Sequence, residues 1–248
     1  MFDKEIEFIA NQDFIDLNIS HPKPIKLNIP NWYKKLEHTH LKQTVKGCMP
    51  FLDALTSGYV LELTQDVLIQ HNLPNQEGTP STSAVYALKD LDLKNKHGIN
   101  LNDAHFNYQI HNTDQIEGSP QQIKNKFLPL HKILNPWIIK TPPGYSCLFT
   151  PPLNNKDDRF EIISGIVDTD SYETEINFPI VINGDKYPVL NEVIKKGTPY
   201  VQIIPFKRES WKMKIHSKTP GLKLNQLSFY TELINKYKTL NWSKKSWK

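Results

Sequence analysis

The second half of the chain alternates short apolar or aromatic runs with clusters of Pro, Gly, Asn and Asp. Proline lacks a backbone donor and is confined to strand starts, edges and bulges, so runs bracketed by proline predict strands with fixed ends. Regular spacing of such runs is typical of an antiparallel sandwich or an incomplete barrel. The predicted strands cover residues 137–140, 145–150, 160–167, 175–182 and 200–206.

Three local signals add detail to this half. The two prolines of residues 141–147 are expected to end one strand, and Gly144 then turns the chain into the next strand. The pair Asn183 and Gly184 predicts a type I′ hairpin, because both residue types tolerate a positive φ. A last strand is predicted over residues 210–215.

The end of the chain has a helical period. Residues 224–240 carry one apolar stripe, which predicts a helix docked on the sandwich. The basic residues that follow, 244–248, are expected to lie in solvent. The stripe consists of Leu227, Tyr230, Leu233, Ile234 and Tyr237.

The first part of the chain mixes strand and helix signals. A strand over residues 6–9 precedes a short helix that begins at Pro30, where the missing donor of proline has no helical partner. A second helix is predicted over residues 49–56 and is closed by Gly58. Further strands are predicted at 59–63 and 66–69, before a polar loop at 72–83.

Composition favours one ordinary globular domain. The chain has 248 residues, 38% of them hydrophobic and 23% charged, which is enough to bury a large core. We interpret residues 1–248 as a single domain, with an N-terminal strand and short helices (1–60), a β-sandwich core (61–216) and a C-terminal helix with a basic tail (217–248). The predicted fold class is mostly β (α+β): an antiparallel β-sandwich or jelly-roll-like partial barrel with short N-terminal helices and a docked C-terminal helix.

Charge, hydropathy and cysteine content restrict the partners and the location. The formal net charge is +4 and both signs are mixed along the chain, so nucleic-acid binding is not expected. No apolar stretch approaches the roughly 18–20 residues that span a bilayer, and residues 1–7 lack the layout of a signal peptide. We therefore expect an intracellular protein without a membrane partner. Cys48 and Cys147 are expected to be reduced core thiols.

Short segments rich in Pro, Gly and aromatic residues, spread over most of the chain, form one recognisable set. They are residues 28–36 (NIPNWYKKL), 48–55 (CMPFLDAL) with Gly58 and Tyr59, 135–137, 141–149 (TPPGYSCLF), 165–170 (GIVDTD), 177–179, 197–199 and 204–208. With them the sequence resembles an uncharacterised protein family of tailed phages of marine bacteria, with relatives in bacterial genomes. That resemblance implies a phage-type protein in the host cytoplasm or the virion. It assigns no activity and no role to any residue.

Histidines give the sharpest catalytic hypothesis. Residues 105–111 alternate with a period of two, which places His105 and His111 on one face of a strand, and His38 and His40 form a second such pair. Imidazole suits Fe, Zn and Cu, so a cupin-like or jelly-roll enzyme with Fe or Zn is an alternative function. The first pair is roughly 20 Å apart in an extended strand, too far to share one ion. We therefore expect no metal site and no cofactor.

Other catalytic patterns are weak. Cys147 has no histidine near it in sequence, which favours packing over nucleophilic chemistry. Asp168 and Asp170 favour Asx turns over a Ca²⁺ site or an acid–base pair. The chain has no phosphate-binding loop, nucleophile elbow, Cys-x-x-Cys pair or dinucleotide fingerprint. An enzyme is therefore the less favoured class.

The aromatic residues of the predicted strands allow two interpretations. Their rings fill a sandwich core, or they wall an apolar pocket or partner surface where adjacent basic residues recognise an anion. We predict a non-enzymatic phage-type protein that binds another macromolecule, a virion or host protein. The alternatives are the metal-dependent enzyme and a small-ligand binding module. The candidate binding residues are Trp137, Tyr145, Phe149, Tyr200, Lys207 and Arg208.

Overall fold

A computed structural model describes residues 4–16, 20–74, 82–87, 110–222 and 237–248. The strands in these ranges are β1 (Glu7–Ile9), β2 (Lys23–Pro24), β3 (Tyr59–Glu62), β4 (Val67–Leu73), β5 (Thr82–Ala87), β6 (Ile110–His111), β7 (Leu130–Ile133), β8 (Ile138–Lys140), β9 (Tyr145–Thr150), β10 (Phe160–Ile162), β11 (Gly165–Val167), β12 (Phe178–Ile182), β13 (Leu190–Ile194) and β14 (Pro199–Lys207). The α-helices are α1 (Gln12–Asp16), α2 (Asn31–Lys35), α3 (Met49–Thr56) and α4 (Pro120–Lys124). Short 3₁₀ turns cover Ile25–Asn28, Val45–Gly47 and Thr113–Ile116, and a π-helical turn covers Tyr237–Asn241.

The strands form four antiparallel sheets. The largest has the order β11-β9-β14-β3-β2, the second β10-β12-β7-β6, the third β13-β4-β5, and β1 pairs with β8. Every pairing between described strands is antiparallel. These sheets do not close into a barrel within the described ranges. The mostly β, antiparallel fold class is therefore confirmed, and strands 8, 9, 12 and 14 lie where the proline-bracketed runs predict them.

One hydrophobic core joins the sheets. Apolar side chains of β3, β9 and β14 in the five-stranded sheet meet those of β10 and β12 in the four-stranded sheet. The ring of Phe178 lies at their contact, 5.6 Å from the ring of Phe149 and 5.7 Å from that of Tyr200. Each such ring removes about 150–250 Å² from water, so this cluster is a main source of packing energy.

The first helices form where proline and glycine place them. α2 starts directly after Pro30, and α3 covers the predicted residues 49–56. Gly58 follows α3 with a φ of +76°, and a Cβ added to it would lie 2.0 Å from the carbonyl oxygen of Ile203. Only glycine fits both constraints. Within the described ranges, no helix has the length and apolar character needed to cross a bilayer.

Two pairing predictions in the second half are wrong. Residues 160–167 form two strands, β10 and β11, in different sheets. Asn183 and Gly184 do not form a hairpin, because β12 pairs with β10 and β7 whereas β13 pairs with β4. Gly184 instead packs against Lys124, whose carbonyl oxygen accepts its N–H at 3.0 Å and would lie 2.8 Å from an added Cβ. A close backbone contact, rather than a positive φ, explains this glycine.

The segment after β14 also differs from its prediction. Residues 210–215 form no regular secondary structure and pair with no described strand, so the predicted last strand is wrong. Residues 224–236 of the predicted terminal helix lie outside the described ranges, and they include Leu227, Tyr230, Leu233 and Ile234. Docking of that stripe stays a prediction.

The basic tail is attached to the body of the protein. The indole Nε1 of Trp242 donates to both carboxylate oxygens of Asp53, at 3.1 and 3.0 Å. Lys245 Nζ lies 2.6 Å from Asp53 Oδ2. Residues 244–246 and Lys248 are exposed, as predicted, whereas Trp247 is half-buried. The exposed tail is thus held to the body of the protein by these contacts, which the sequence did not predict.

The two cysteines have different environments. Cys147 is completely buried and its thiol is free, which confirms the prediction for this residue. Burial raises the pKa of Cys147 to about 11, so the thiol is protonated and unsuited to nucleophilic attack at neutral pH. Cys48 is exposed at the start of α3, so its assignment to the core is wrong.

Candidate functional site

The proline corner between β8 and β9 forms as predicted. The chain turns after Pro142, whose carbonyl oxygen accepts the N–H of Tyr145 at 3.2 Å. Gly144 has a φ of +82°, and no atom lies within 4 Å of a Cβ added there. Glycine is therefore required by backbone conformation alone, and the space beside the turn is open.

Arg208 fixes this corner from the end of β14. Its backbone N–H donates to the carbonyl oxygen of Gly144 at 2.8 Å, and Nη1 donates to Asp170 Oδ1 at 2.9 Å and to Ser146 Oγ at 3.0 Å. Asp170 also accepts the backbone N–H of Gly144 at 2.8 Å. The guanidinium and then the Gly144 N–H lower the pKa of Asp170 to about 2. Strand, turn and acidic loop are thus held together by charge-assisted hydrogen bonds.

A pocket of about 350 Å³ opens beside the corner. Its lining includes Pro142 and Tyr145 of the corner, Pro205 of β14, and the rings of Tyr59 and Trp247. We call this space the proline–aromatic pocket. Its full lining is Lys4, Glu5, Ile6, Tyr59, Thr141, Pro142, Tyr145, Pro205, Ser246, Trp247 and Lys248.

Lysine and tryptophan supply the polar groups of the pocket. The Lys4 ammonium lies 4.2 Å from the centre of the Tyr145 ring and donates to its hydroxyl. The ring of Trp247 stands edge-on to that of Tyr59, with centroids 6.1 Å apart. Its indole Nε1 is buried and has no hydrogen-bond partner in the described part of the chain. A buried donor without an acceptor is costly, so this N–H is an unsatisfied polar group in the lining of the pocket.

The structure separates the predicted binding residues into two groups. Trp137, Phe149 and Tyr200 are core side chains, only 4%, 2% and 4% exposed. Tyr145 lines the proline–aromatic pocket, and Lys207 and Arg208 lie next to Tyr145. Lys207, the last residue of β14, pairs with Tyr145 across the strands. Arg208 follows β14, and its Nη1 donates to the Tyr145 carbonyl oxygen at 3.0 Å. The sequence interpretation did not find Lys4, Tyr59 and Trp247. Of these three, only Trp247 lies in a segment to which the sequence assigned a role, and that segment, the basic tail, was predicted to lie in solvent.

The structure describes three of the four histidines of the metal hypothesis. His105 lies outside the described ranges, and His111 is a half-buried residue of β6. His38 accepts the backbone N–H of Thr44 at 3.0 Å, and His40 is exposed. No group of three or more potential metal ligands occurs among the residues that the structure describes.

A second polar site, which the sequence interpretation missed, lies between the sheets. Ser83 Oγ of β5 is 3.1 Å from His71 Nδ1 of β4 and 3.1 Å from His131 Nε2 of β7. Both imidazoles are buried, and their outer ring nitrogens have no partner in the described ranges. Burial, and then the neighbouring His131, lower the pKa of His71 to about 4. We call these three residues the histidine seam.

The seam does not have the arrangement of a catalytic triad. A serine nucleophile needs one histidine as base and a carboxylate that orients this base. Here the hydroxyl lies between two imidazoles, and neither outer nitrogen meets a described carboxylate. The seam therefore joins the three-stranded sheet to the four-stranded sheet as a structural contact.

Comparison with protein-family models and with curated proteins finds no match to this chain. The resemblance to a phage protein family accordingly stays a prediction.

Proposed function

We propose that this protein is a non-enzymatic binding protein whose proline–aromatic pocket holds an extended, proline-rich segment of a partner protein. One observation carries the proposal: the pocket combines walls of Pro142 and Pro205 with the rings of Tyr59, Tyr145 and Trp247. Aromatic-lined grooves bind polyproline II segments, because these are already extended before binding and lose little entropy.

The polar groups of the pocket suit such a segment. A polyproline II helix makes no internal hydrogen bonds, so its carbonyl oxygens are available to a donor. The buried Nε1 of Trp247 is a donor in need of an acceptor. Lys4 at the Tyr145 ring adds positive charge, which favours a segment with acidic flanking residues.

The chemistry of the lining supports binding rather than catalysis. Its described residues include no histidine and no cysteine, and their one acidic side chain is that of Glu5. General acid–base and nucleophilic catalysis rely on such groups in mutual contact. The motif resemblance further supports a phage-type protein, acting as a virion component or a host-directed factor.

Indole N–H signals in ¹H–¹⁵N NMR spectra test this function. The probes are a polyproline peptide, an alternating Pro–Glu peptide and a Gly–Ser peptide of equal length. We expect the Trp247 indole signal to shift with both proline peptides, more strongly with the Pro–Glu peptide, and not with the Gly–Ser peptide. Trp247→Phe assigns the signal.

Two variants serve as test and matched control. Trp247→Ala should lose at least tenfold in affinity for the Pro–Glu peptide, whereas Trp211→Ala, which removes an exposed ring outside the pocket, should keep the affinity. The proposal is wrong if the proline peptides cause no shift, or if the Gly–Ser peptide binds equally well.

A small-ligand binding module is the second candidate function. The pocket volume of about 350 Å³ falls in the range of small-molecule sites, about 300–1,000 Å³. Benzoate is a suitable probe, because its ring matches the aromatic walls and its carboxylate matches Lys4. A Trp247 shift with benzoate but with neither proline peptide would favour this function.

A further inference from the structure

The segment after β14 carries exposed apolar side chains at alternate positions. Trp211, Met213 and Ile215 are 88%, 83% and 85% exposed, and they alternate with Lys212 and Lys214. A period of two places the three apolar side chains on one face and the lysines on the other, as in a strand. Residues 210–215 nevertheless pair with no strand of the described ranges. We call this segment the arm.

An unpaired sheet edge lies next to the root of the arm. β11 is the outer strand of the five-stranded sheet, and among the described strands it pairs only with β9. Its central residue, Ile166, is 64% exposed. The residues that follow, 168–175, contain four acidic side chains and no basic one. This outer strand therefore offers an apolar contact beside a segment with an excess of acidic side chains. Two basic residues of the same chain offset part of that charge: Arg208 pairs with Asp168 and Asp170, and Lys140 pairs with Glu173.

We propose that the arm of one copy of this chain adds as a strand to β11 of a second copy, and that the second copy returns its own arm in the same way. The basic face of the arm meets the acidic residues 168–175, and its apolar face covers Ile166. Alternating charges and apolar contacts of this kind fix both the partner and the register of an added strand.

The position of the arm explains why the exchange closes as a pair. Arg208, at the root of the arm, contacts Asp168 and Asp170 directly after β11, at 3.2 Å and 2.9 Å. Donor and acceptor thus lie side by side on the same molecule. A twofold axis near this point lets each arm reach the edge of the other copy, which gives a closed dimer rather than a fibre.

The expected contact area suffices for a stable dimer. Each arm offers three large side chains, roughly 400–500 Å² of apolar surface. Two arms and the edges that they cover bury about 1,600–2,000 Å², the usual size of a specific interface. An apolar patch of this size on a monomer is itself a sign of an interaction site.

Light scattering coupled to size-exclusion chromatography tests the proposal. The full chain should behave as a dimer at micromolar concentration. The triple variant Trp211→Ser, Met213→Ser, Ile215→Ser should weaken dimerisation at least tenfold. Its circular dichroism spectrum should stay that of the folded wild type, because these side chains are exposed in the single chain. Leu41→Ser, which removes another fully exposed apolar side chain, is the matched control and should leave the dimer intact.

Charge reversal distinguishes a second copy from other occupants. Lys212→Glu with Lys214→Glu should give monomers, and adding Glu173→Lys with Glu175→Lys in the same chain should restore the dimer. In a Cys48→Ser background, Ile166→Cys with Met213→Cys should form a covalent dimer on oxidation.

Three results would overturn the proposal. They are a monomer up to about 100 µM, a dimer that survives the triple variant, and a monomer whose arm binds vesicles containing phosphatidylglycerol. None of these results concerns the proline–aromatic pocket. The outcome of the peptide titrations that monitor Trp247 is therefore independent of the outcome of the dimer experiments.

Discussion

The proline corner and the histidine seam differ in how fully their polar groups are hydrogen-bonded. In the corner, Arg208 donates to Asp170 and to the Gly144 carbonyl oxygen, and Asp170 also accepts the Gly144 N–H. In the seam, His71 and His131 are buried, yet each keeps one ring nitrogen without a described partner. The corner lies at the surface and is satisfied, whereas the seam lies inside and is not.

This difference indicates what each region contributes. Satisfied, charge-assisted contacts hold the corner in one geometry, which a binding site beside it requires. Unsatisfied buried groups cost free energy, so the outer ring nitrogens of the seam lower the stability of the protein, and so does a second buried residue, Gln65. Both polar atoms of the Gln65 side chain are unpaired, and the residue lines a cavity of about 40 Å³.

The largest loss of stability is expected at Gly58, and the loss at the corner is compared with it. We expect Gly58→Ala to reduce the free energy of unfolding by about 3–5 kcal/mol, because a positive φ and a clash with the Ile203 carbonyl act together. Urea unfolding measures this change. A loss below that of Gly144→Ala, where the added Cβ meets no atom, would contradict the assignment of a tight contact.

Acidification should weaken the seam before the corner. Burial depresses the pKa of His71 to about 4 and also lowers the pKa of His131, so both rings are neutral in the folded protein. The unfolded chain binds these protons near pH 6.5. Stability from the seam is therefore complete above pH 6.5 and is lost as the pH falls towards 4. The Asp170 contribution is lost only between pH 3.8 and about 2.

Urea unfolding at a series of pH values measures the seam. The loss that His71 causes between pH 6.5 and 4 should be about 3 kcal/mol. His71→Gln should flatten this part of the profile, and His40→Gln, at an exposed position, should not. An unaltered slope in the first variant would rule out His71 as the titrating group.

At the corner, a substitution of Gly144 should lower the stability through backbone strain alone. Gly144→Val should cost about 1–3 kcal/mol, because valine is forced to a positive φ in open space. Thermal unfolding measures the loss. If the melting temperature were unchanged while peptide binding was lost, the corner would act on the ligand and not on the fold.

The smallest change in stability, and the only increase, is expected at Gln65. Gln65→Leu removes two unpaired buried polar atoms and keeps a similar volume. We expect a stabilisation of about 1–2 kcal/mol. The control Gln202→Leu should destabilise, because Gln202 donates to Ala54 and Ser57 carbonyls and accepts from Leu153 N–H. A destabilised Gln65→Leu protein would show that Gln65 has a partner.

Local signals predicted the elements that depend on a few neighbouring residues. Proline and glycine fix both ends of α3, and proline-bracketed runs fix β9, because these residues act through their own φ or missing donor. Pairing could not be predicted in this way. The strands on either side of Gly184 pair with residues at least 18 positions away, and these contacts override a good turn sequence.

The candidate site was predicted in part for the same reason. Tyr145, Lys207 and Arg208 belong to adjacent strands and were found by their aromatic and basic character. Tyr59 and Trp247 come from opposite ends of the sequence, and only folding brings them into contact. The seam depends on the alignment of β4, β5 and β7, and no period within one strand reveals it.

The attachment of the tail has a consequence for the order of events in folding. Tyr59 with Lys248, and Asp53 with Trp242, are 189 residues apart in sequence. Contacts across so long a loop form slowly and late, after the sheets that position them. The proline–aromatic pocket is therefore expected to appear last, so a newly made chain becomes competent to bind only when the rest of its structure is complete.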